Sequence, residues 1–576
     1  MHTQTKENWR LYTLAIIFVL FWLIVVGRLI YIQAFQAKKY AAKASVQQSR
    51  KFEIPASRGI VYVKDSQDLY PIALNNKVYT LAVDPKFIKD ADNTAQKLNE
   101  IINSNKDEIK NQIIKDSRYI EINKSINTDQ AEKIKSMSLP GVILIERASR
   151  FYPEGSLFSH VLGYVNDDGK GQYGFEQFND ETMGGTNGQY NTTTDALGVP
   201  IRSADNTISE PVAGKDYVLT LDRGLQAVAQ EALKQAVESN RAESGSIIVM
   251  DVKTGAIKAM VNYPDYDPNN FRQVKDYKVF SNSAVSSLFE PGSGFKVVTM
   301  AAGLDTGKIR PNTTFNDTGE VKVGDKVIKN AENHKFGIST MTDVIQKSLN
   351  TGVVFVLQSL GGTTGKITPE GKQSFFSYIE KFGFGKITGI EQAGEVSSKV
   401  KQPSTYDVDY ANMSFGQGIS VNSLQLLTAV GAIANKGVLM KPYLVEGELQ
   451  SDQTIKKTQP QVVRGVISPE TAAELSQIMT QVVEQGSGYL TKMKGYKIAG
   501  KTGTAQVPRA DGKGYEDNKN IGSFVGFAPA DDPKFVMLVR VDYPKTEGFA
   551  EKTAVPAFAT VAKELMRYYQ IPPSVN

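Results

Sequence analysis

Cysteine is absent from this 576-residue chain, which excludes disulfides and thiolate metal sites. Histidine is nearly absent too: His2, His160 and His334 are the whole complement, too few and too scattered for a histidine metal centre. The same scarcity argues against a Ser-His-Asp hydrolase, as does the lack of a G-x-S-x-G elbow, which Pro291-Gly292-Ser293-Gly294-Phe295 approaches without matching. Neither sign of charge dominates, 66 Lys and Arg standing against 61 Asp and Glu, so no nucleic-acid footprint emerges. A phosphate-binding loop is missing as well, because Gly361-Gly362-Thr363-Thr364-Gly365-Lys366 has the wrong glycine spacing and is followed by Ile367 where Ser or Thr is needed. No cofactor and no metal ion are expected.

One long apolar run is present. Leu11 to Gly27 carries no charge and, extended by Leu29 to Ile32, reaches the roughly 20 residues that cross a bilayer. The A-x-A cleavage candidate Ala42-Lys43-Ala44 lies too far beyond the apolar core, so residues 11–32 are expected to be an uncleaved signal anchor behind a short tail, 1–10. Lys6 and Arg10 flank one side, and Arg28, Lys38, Lys39 and Lys43 the other, so counting positive charges does not orient the helix.

Three short boxes carry the chemistry: Ser293-Gly294-Phe295-Lys296, Ser348-Leu349-Asn350 and Lys501-Thr502-Gly503. Pro291-Gly292 reads as a turn and an apolar helical pattern follows, which places Ser293 at a helix N-terminus, where the dipole and free N–H groups favour an oxyanion. Residues three apart share a helix face, so Ser293 Oγ and Lys296 Nζ are expected within hydrogen-bond reach. A serine hydroxyl needs a base, and lysine serves once burial and a nearby positive charge, here Lys501, lower its pKa.

Spelling alone does not discriminate, because Ser398-Lys399-Val400-Lys401 also fits S-x-x-K and Lys253-Thr254-Gly255 also fits K-T-G. The second copy joins two apolar alternating runs as a hairpin turn would, and the first sits in a polar stretch. Both read as ordinary structure. Order and context single out the other set.

S-x-x-K, S-x-N and K-T-G in this order form a signature shared by serine β-lactamases and penicillin-binding proteins. Further matches extend along the chain: Arg150-Phe151-Tyr152-Pro153-Glu154-Gly155, His160-Val161-Leu162-Gly163-Tyr164, Gly171-Gln172-Tyr173-Gly174-Phe175-Glu176, Ser414-Phe415-Gly416-Gln417-Gly418 and Phe524-Val525-Gly526-Phe527-Ala528-Pro529. With these the chain resembles the class B penicillin-binding proteins, monofunctional peptidoglycan D,D-transpeptidases, and its wording is nearer the division-type septal branch than the elongation branch. The resemblance implies that Ser293 attacks the D-alanyl-D-alanine bond of a stem peptide and that Lys296 takes the serine proton. It implies that Ser348 and Asn350, with Lys501 close by, relay the proton and hold the substrate. Thr502, Gly503 and Thr504 would line the carboxylate-binding strand, with the Ser293 and Thr504 N–H groups as oxyanion hole. Partners implied are peptidoglycan stem peptides, β-lactams, the membrane, a polytopic membrane glycosyltransferase and other cell-wall or divisome proteins. The catalytic part is expected outside the cell membrane.

Two departures from the family pattern stand out. Gly294 follows the nucleophile where the family has threonine or serine, and Arg58-Gly59-Ile60-Val61-Tyr62 continues as Val63-Lys64-Asp65-Ser66-Gln67 instead of the family's R-G-x-I-x-D-R-N-G.

Composition changes at Glu210-Pro211-Val212-Ala213-Gly214, so the expected division is a pedestal or dimerisation-type domain over 33–210 and a transpeptidase domain over 211–576. The fold class is α/β (α+β), with a mainly antiparallel catalytic sheet covered by helices on both faces. Charge richness from Asp92 to Lys135 reads as a long solvated helical stretch, and a last helix is expected from about Pro556 to Tyr569. Competing readings are an elongation-type transpeptidase, a β-lactamase using Glu380 or Glu391 as deacylating base, and a non-catalytic scaffold or β-lactam sensor. A bifunctional polymerase would need more chain before Glu210.

Overall fold

The uncharged run at the N-terminus folds as one helix, Asn8–Phe35, long and apolar enough to cross a membrane by length and composition. The computed structural model describes residues 8–40, 43, 49–65, 68–194, 200–201, 207–509, 511, 514–546 and 549–573. They fall into two compact units, one within 1–57 and 185–214, the other within 58–184 and 215–576. Besides the helix, the first holds an antiparallel sheet in which Gly188–Thr194 pairs with Ser49–Ile54, Thr207–Ser209 and Pro200–Ile201.

The second unit opens with β1 (Val61–Asp65) and the 16-residue β2 (Asp68–Val83). They pair antiparallel from Val61↔Ala73 to Asp65↔Asp68, so the hairpin forms despite the departure from the family wording. Then come α1 (Ala91–Ile102), α2 (Lys106–Ile113), β3 (Ile120–Ile126), α3 (Thr128–Ser136) and β4 (Val142–Phe151). The charged stretch is therefore not one helical surface. Asn103 turns left-handed (φ 47°) to end α1, and the Ile-Glu-Ile alternation at 120–122 puts an edge strand on β2. The helices are capped by Asp90, Asn105 and Asn127, and each buries a stripe, Leu98, Ile109, Ile113, Ala131 and Ile134 meeting Leu81, Val83 and Ile126.

Next along the chain are β5 (Asp216–Asp222), α4 (Arg223–Ser239), β6 (Ser244–Asp251) and β7 (Ile257–Tyr263). The Lys253-Thr254-Gly255 copy is the tight turn between β6 and β7, held by Asp251 Oδ1, which accepts the Lys253 and Thr254 N–H groups. Ser398 is buried, its Oγ accepting the Gly385 N–H. Both decoys are structural.

The second unit continues with α5 (Lys296–Asp305), short strands β8 (Thr314–Asp317), β9 (Glu320–Val323), β10 (Lys326–Lys329) and β11 (Gly337–Thr340), then α6 (Asn350–Leu360) and α7 (Ser423–Ala434). It ends with β12 (Val445–Leu449), β13 (Ile455–Lys457), α8 (Pro469–Gln485), β14 (Ala499–Pro508), β15 (Tyr515–Ala528), β16 (Phe535–Asp542) and α9 (Ala550–Tyr568). The last helix begins six residues before Pro556, which it contains. Proline there lacks an N–H and forgoes one helical bond, so it was a poor marker of the start.

Two sheets organise this unit. One runs β13-β12-β5-β1-β2-β3 with β4 also on β2, and its β5–β1 pair is parallel. The other is antiparallel throughout, in the order β7-β6-β16-β15-β14. Strand alternation sorts its core: Ile247 and Val249 pack with α4 and α9 on one face, and Ile248 and Met250 with α5, α6 and α7 on the other. Helices therefore cover both faces, and β14, which carries Lys501-Thr502-Gly503, is left as an edge.

Candidate active site

Three glycines bring three backbones together around Ser293. Gly292 adopts φ 52°, its N–H donates to Gly416 O at 3.0 Å, and a Cβ there would lie 2.7 Å from Thr504 O. A Cβ on Gly416 would lie 2.1 Å from Gly292 O, and one on Gly503 would meet Ser523 Oγ at 2.5 Å and Pro291 O at 2.8 Å. Only glycine allows this stacking of turn, Ser414–Gly418 segment and β14. Glu290 ties the same walls, Oε1 accepting the Gly418 N–H at 2.8 Å and Oε2 the Tyr515 hydroxyl at 3.1 Å.

Ser293 sits in a short 3-10 turn, Gly292–Phe295, one step ahead of α5. Phe295 anchors the turn from below, fully buried against the ring of Phe384. Lys296 follows, with no exposed surface. Its Nζ donates to Ser348 O at 2.5 Å and to Ser348 Oγ at 3.2 Å, so here the lysine meets the second box and makes no hydrogen bond to Ser293 Oγ. Catalytic hydrogen bonds of this kind commonly tighten only with substrate bound.

The electrostatics favour a base. Burial, helped by the charge of Lys501, drives the Lys296 ammonium well below its ordinary range. Lys501 is itself fully buried and lowered to about 7 by desolvation, with Glu551 pulling the other way. Burial and the Lys501 charge both push Lys296 toward its neutral form, and Lys501, lowered to about 7, is poised between its two forms near neutral pH.

Ser348 takes a left-handed backbone (φ 58°) that turns its carbonyl and hydroxyl toward Lys296. Asn350 opens α6 and donates its amide to Lys329 O at 2.8 Å. On β14, Lys501 and Gly503 alternate with Thr502 and Thr504, paired with Val525, Ser523, Phe524 and Gly522 of β15. Thr502 Oγ1 lies 2.6 Å from Ser487 Oγ and accepts from Lys501 Nζ at 3.3 Å, and Thr504 Oγ1 accepts the Ala550 N–H at 3.4 Å. Ser487 was not anticipated; its Gly486-Ser487-Gly488 setting was the available signal. Gly294, by contrast, has room, since a Cβ there would meet only Leu426 Cδ2 at 3.6 Å.

A half-buried serine one turn ahead of a buried lysine, a second serine hydrogen-bonded to that lysine and a K-T-G edge strand stand together without a histidine. Residues 245–567 match the family described as "Penicillin binding protein transpeptidase domain", and residues 53–219 match "Penicillin-binding Protein dimerisation domain". The chain belongs to the class B penicillin-binding proteins. It is 32% identical over 566 residues to Stage V sporulation protein D of Bacillus subtilis, covering 97% of this chain and 85% of that protein. It is 29% identical over 577 residues to peptidoglycan D,D-transpeptidase FtsI of Escherichia coli, covering 98% and 93%. Penicillin-binding protein 3 of Mycobacterium tuberculosis, solved in complex with ampicillin, superposes with a TM-score of 0.69 at 27% identity, covering 91% of this chain and 98% of that one. The enzyme is a serine-type peptidoglycan D,D-transpeptidase.

Proposed function

We propose that Ser293 is the nucleophile and neutral Lys296 its base, the reading carried by one observation: a fully buried lysine, its ammonium disfavoured by burial and by Lys501, hydrogen-bonded to Ser348 Oγ. As Ser293 Oγ bonds to the penultimate D-alanine carbonyl, its proton passes to Lys296. The tetrahedral oxyanion is met by the Ser293 and Thr504 N–H groups. When the peptide C–N bond breaks, the proton returns through Ser348 to the departing D-alanine nitrogen. Asn350 holds the substrate amide, and Lys501 with Thr502, Gly503 and Thr504 binds the terminal carboxylate along the edge of β14. An amine from a neighbouring strand then attacks the ester, forming the cross-link and freeing Ser293. A β-lactam enters by the same attack.

A β-lactamase would need a carboxylate base for deacylation, but Glu391 is engaged with the Leu444 N–H and Glu380 is exposed on the helix Pro369–Lys381. Fluorescent penicillin added to the detergent-solubilised protein is expected to leave a long-lived adduct on Ser293. Rapid turnover, or an adduct that survives Ser293→Ala, would overturn this reading.

The functional border is placed between a pedestal at 33–210 and a transpeptidase part at 211–576. The matched spans 53–219 and 245–567 support it, although β5 lends the pedestal segment a strand. The anchor helix and its likeness to FtsI support an enzyme whose catalytic part lies outside the membrane, working at the septum with a polytopic membrane glycosyltransferase and other division proteins. Likeness to a sporulation protein over 97% of the chain supports a second reading, cross-linking during spore formation. A fluorescent fusion at midcell in dividing cells supports the first, and signal confined to sporulating cells the second. Protease accessibility in spheroplasts but not in intact cells tests the sidedness.

A further inference from the structure

The first turn of α6 has a need that its own residues do not meet. A helix leaves its first N–H groups unpaired, and an Asn, Asp, Ser or Thr just before it usually accepts one of them. Before α6 that position is Leu349, which has no side-chain acceptor. The acceptor comes from elsewhere in the fold: Asn330 Oδ1 takes the Thr351 N–H at 3.1 Å. A buried amide can in principle present either end. Asp317 removes the choice, because both of its oxygens accept from Asn330 Nδ2, at 3.0 and 3.1 Å, which turns the carbonyl end to the helix.

Asp317 is only 2% exposed, at the end of β8. It also accepts the Thr351 hydroxyl at 2.8 Å and the N–H groups of Gly319 and Phe336, each at 3.0 Å. Hydrogen bonds alone satisfy it, with no ion pair among the described residues. Its negative charge lies at the positive end of α6, where a carboxylate is favoured. One residue before Asn330, the Lys329 carbonyl accepts the Asn350 amide. Two residues before Asn350, Ser348 holds the left-handed conformation that points its carbonyl and hydroxyl at Lys296.

We infer that Asp317 and Asn330 are positioning residues for acyl transfer, a helix cap supplied from a distant hairpin that fixes the Ser348-Leu349-Asn350 corner against Lys296. The inference rests on Ser348 and Asn350 belonging to the reaction site as read above.

Stopped-flow acylation of the full-length detergent-solubilised protein by a fluorescent penicillin separates the acylation rate constant from the preceding noncovalent binding. Asp317→Asn frees the Asn330 amide to flip, and Asn330→Asp sets two carboxylates face to face. Each is expected to slow acylation about tenfold or more, as small misplacements of a catalytic group do, with noncovalent binding changed less than about threefold. The double exchange, Asp317→Asn with Asn330→Asp, again opposes an amide donor to a carboxylate that accepts the Thr351 N–H. Because the new amide nitrogen at 317 also faces the N–H of Gly319 or Phe336, the double variant is expected to recover only part of the lost rate, acylating faster than either single variant. Single variants that acylate at the parent rate overturn the inference, as does a double exchange that fails to outpace both single variants. Thermal melts accompany each measurement. If a single variant does not fold, Thr351→Val decides, since it deletes the hydroxyl contacts to Asp317 Oδ1 at 2.8 Å and Asn330 Oδ1 at 3.2 Å while leaving the capped N–H in place; an unchanged acylation rate there refutes the positioning role. A parent protein forming no Ser293 adduct would instead refute the transpeptidase site itself.

Discussion

Two places in the same compact unit bury cations, and they do so in opposite ways. At the junction of β1, β2 and β4, Glu176 lies between two guanidiniums, accepting Arg58 Nε at 2.7 Å with one oxygen and Arg150 Nε at 2.7 Å with the other. Asp180 adds a second carboxylate on Arg58 at 2.7 Å, and Asn75 joins the pair, accepting from Arg150 and donating to the Arg58 carbonyl. Burial opposes the Arg58 charge, yet Glu176 and Asp180 more than offset it and hold the guanidinium above its ordinary value. At the active site, Lys296 and Lys501 are equally buried, but their hydrogen bonds go to Ser348 and Thr502 rather than to carboxylates. A paired cation is held in its charged form and serves as structure; one without a carboxylate partner is pushed toward its neutral form.

Exchanging residue types across this comparison should have its largest effect at Lys296. Lys296→Arg installs a guanidinium that cannot deprotonate, so acylation by fluorescent penicillin is expected to fall by about a thousandfold or more, within the range removed with a proton handler. A rate within tenfold of the parent would mean that Lys296 is not the base. The converse change acts on folding. Glu176→Gln strips both guanidiniums of their shared anion and is expected to destabilise the protein by about 3–5 kcal/mol, read as a large drop in melting temperature. Residual folded protein should still acylate, because Glu176 touches no catalytic group.

A smaller effect appears in pH dependence. The Lys501 ammonium is depressed in the folded state to about 7 from an ordinary 10.5, so between these values the unfolded chain binds the extra proton. Stability contributed by this group is therefore fully present above about pH 10.5 and is lost as pH falls toward 7. Lys501→Met should lessen that rise in chemical denaturation, with Lys296 still contributing in the same direction, whereas Arg58→Met, at a site that stays charged, should leave its slope unchanged. An unchanged slope in the Lys501 variant would mean that the lysine remains charged when buried.

What the sequence disclosed, and what it hid, follows from the range of each interaction. The serine–lysine spacing and the K-T-G strand are local, so order and periodicity located them. The turn between β6 and β7 was legible for the same reason, its cap lying within three residues. The Asn330 cap on Thr351 reaches across 21 residues and the Asp317 bond across 34, using residue types common on any surface. The charged stretch from 92 to 135 misled because its apolar stripes are narrow, and the Ile120-Glu121-Ile122 alternation within it is too short to stand out. Pro556 misled in another way, since a helix tolerates proline when the surrounding packing holds it.

Gly294 tests whether the turn holding Ser293 is set by its own residue or by its neighbours. Gly292, Gly416 and Gly503 each leave no room for a side chain, so replacing them should disrupt the stack of backbones. Gly294 differs: it lies outside the left-handed region, and an added Cβ would make only ordinary contact with Leu426 at 3.6 Å. If the neighbours position the nucleophile, Gly294→Ser should cost nothing in geometry while reducing the freedom of the unfolded chain. The expected result is a gain of about 0.4–1 kcal/mol in stability, with acylation within about threefold of the parent. A tenfold or greater loss of acylation in a fully folded Gly294→Ser protein would show instead that the small residue is needed for substrate to reach Ser293, and the space beside Leu426 would then belong to the site.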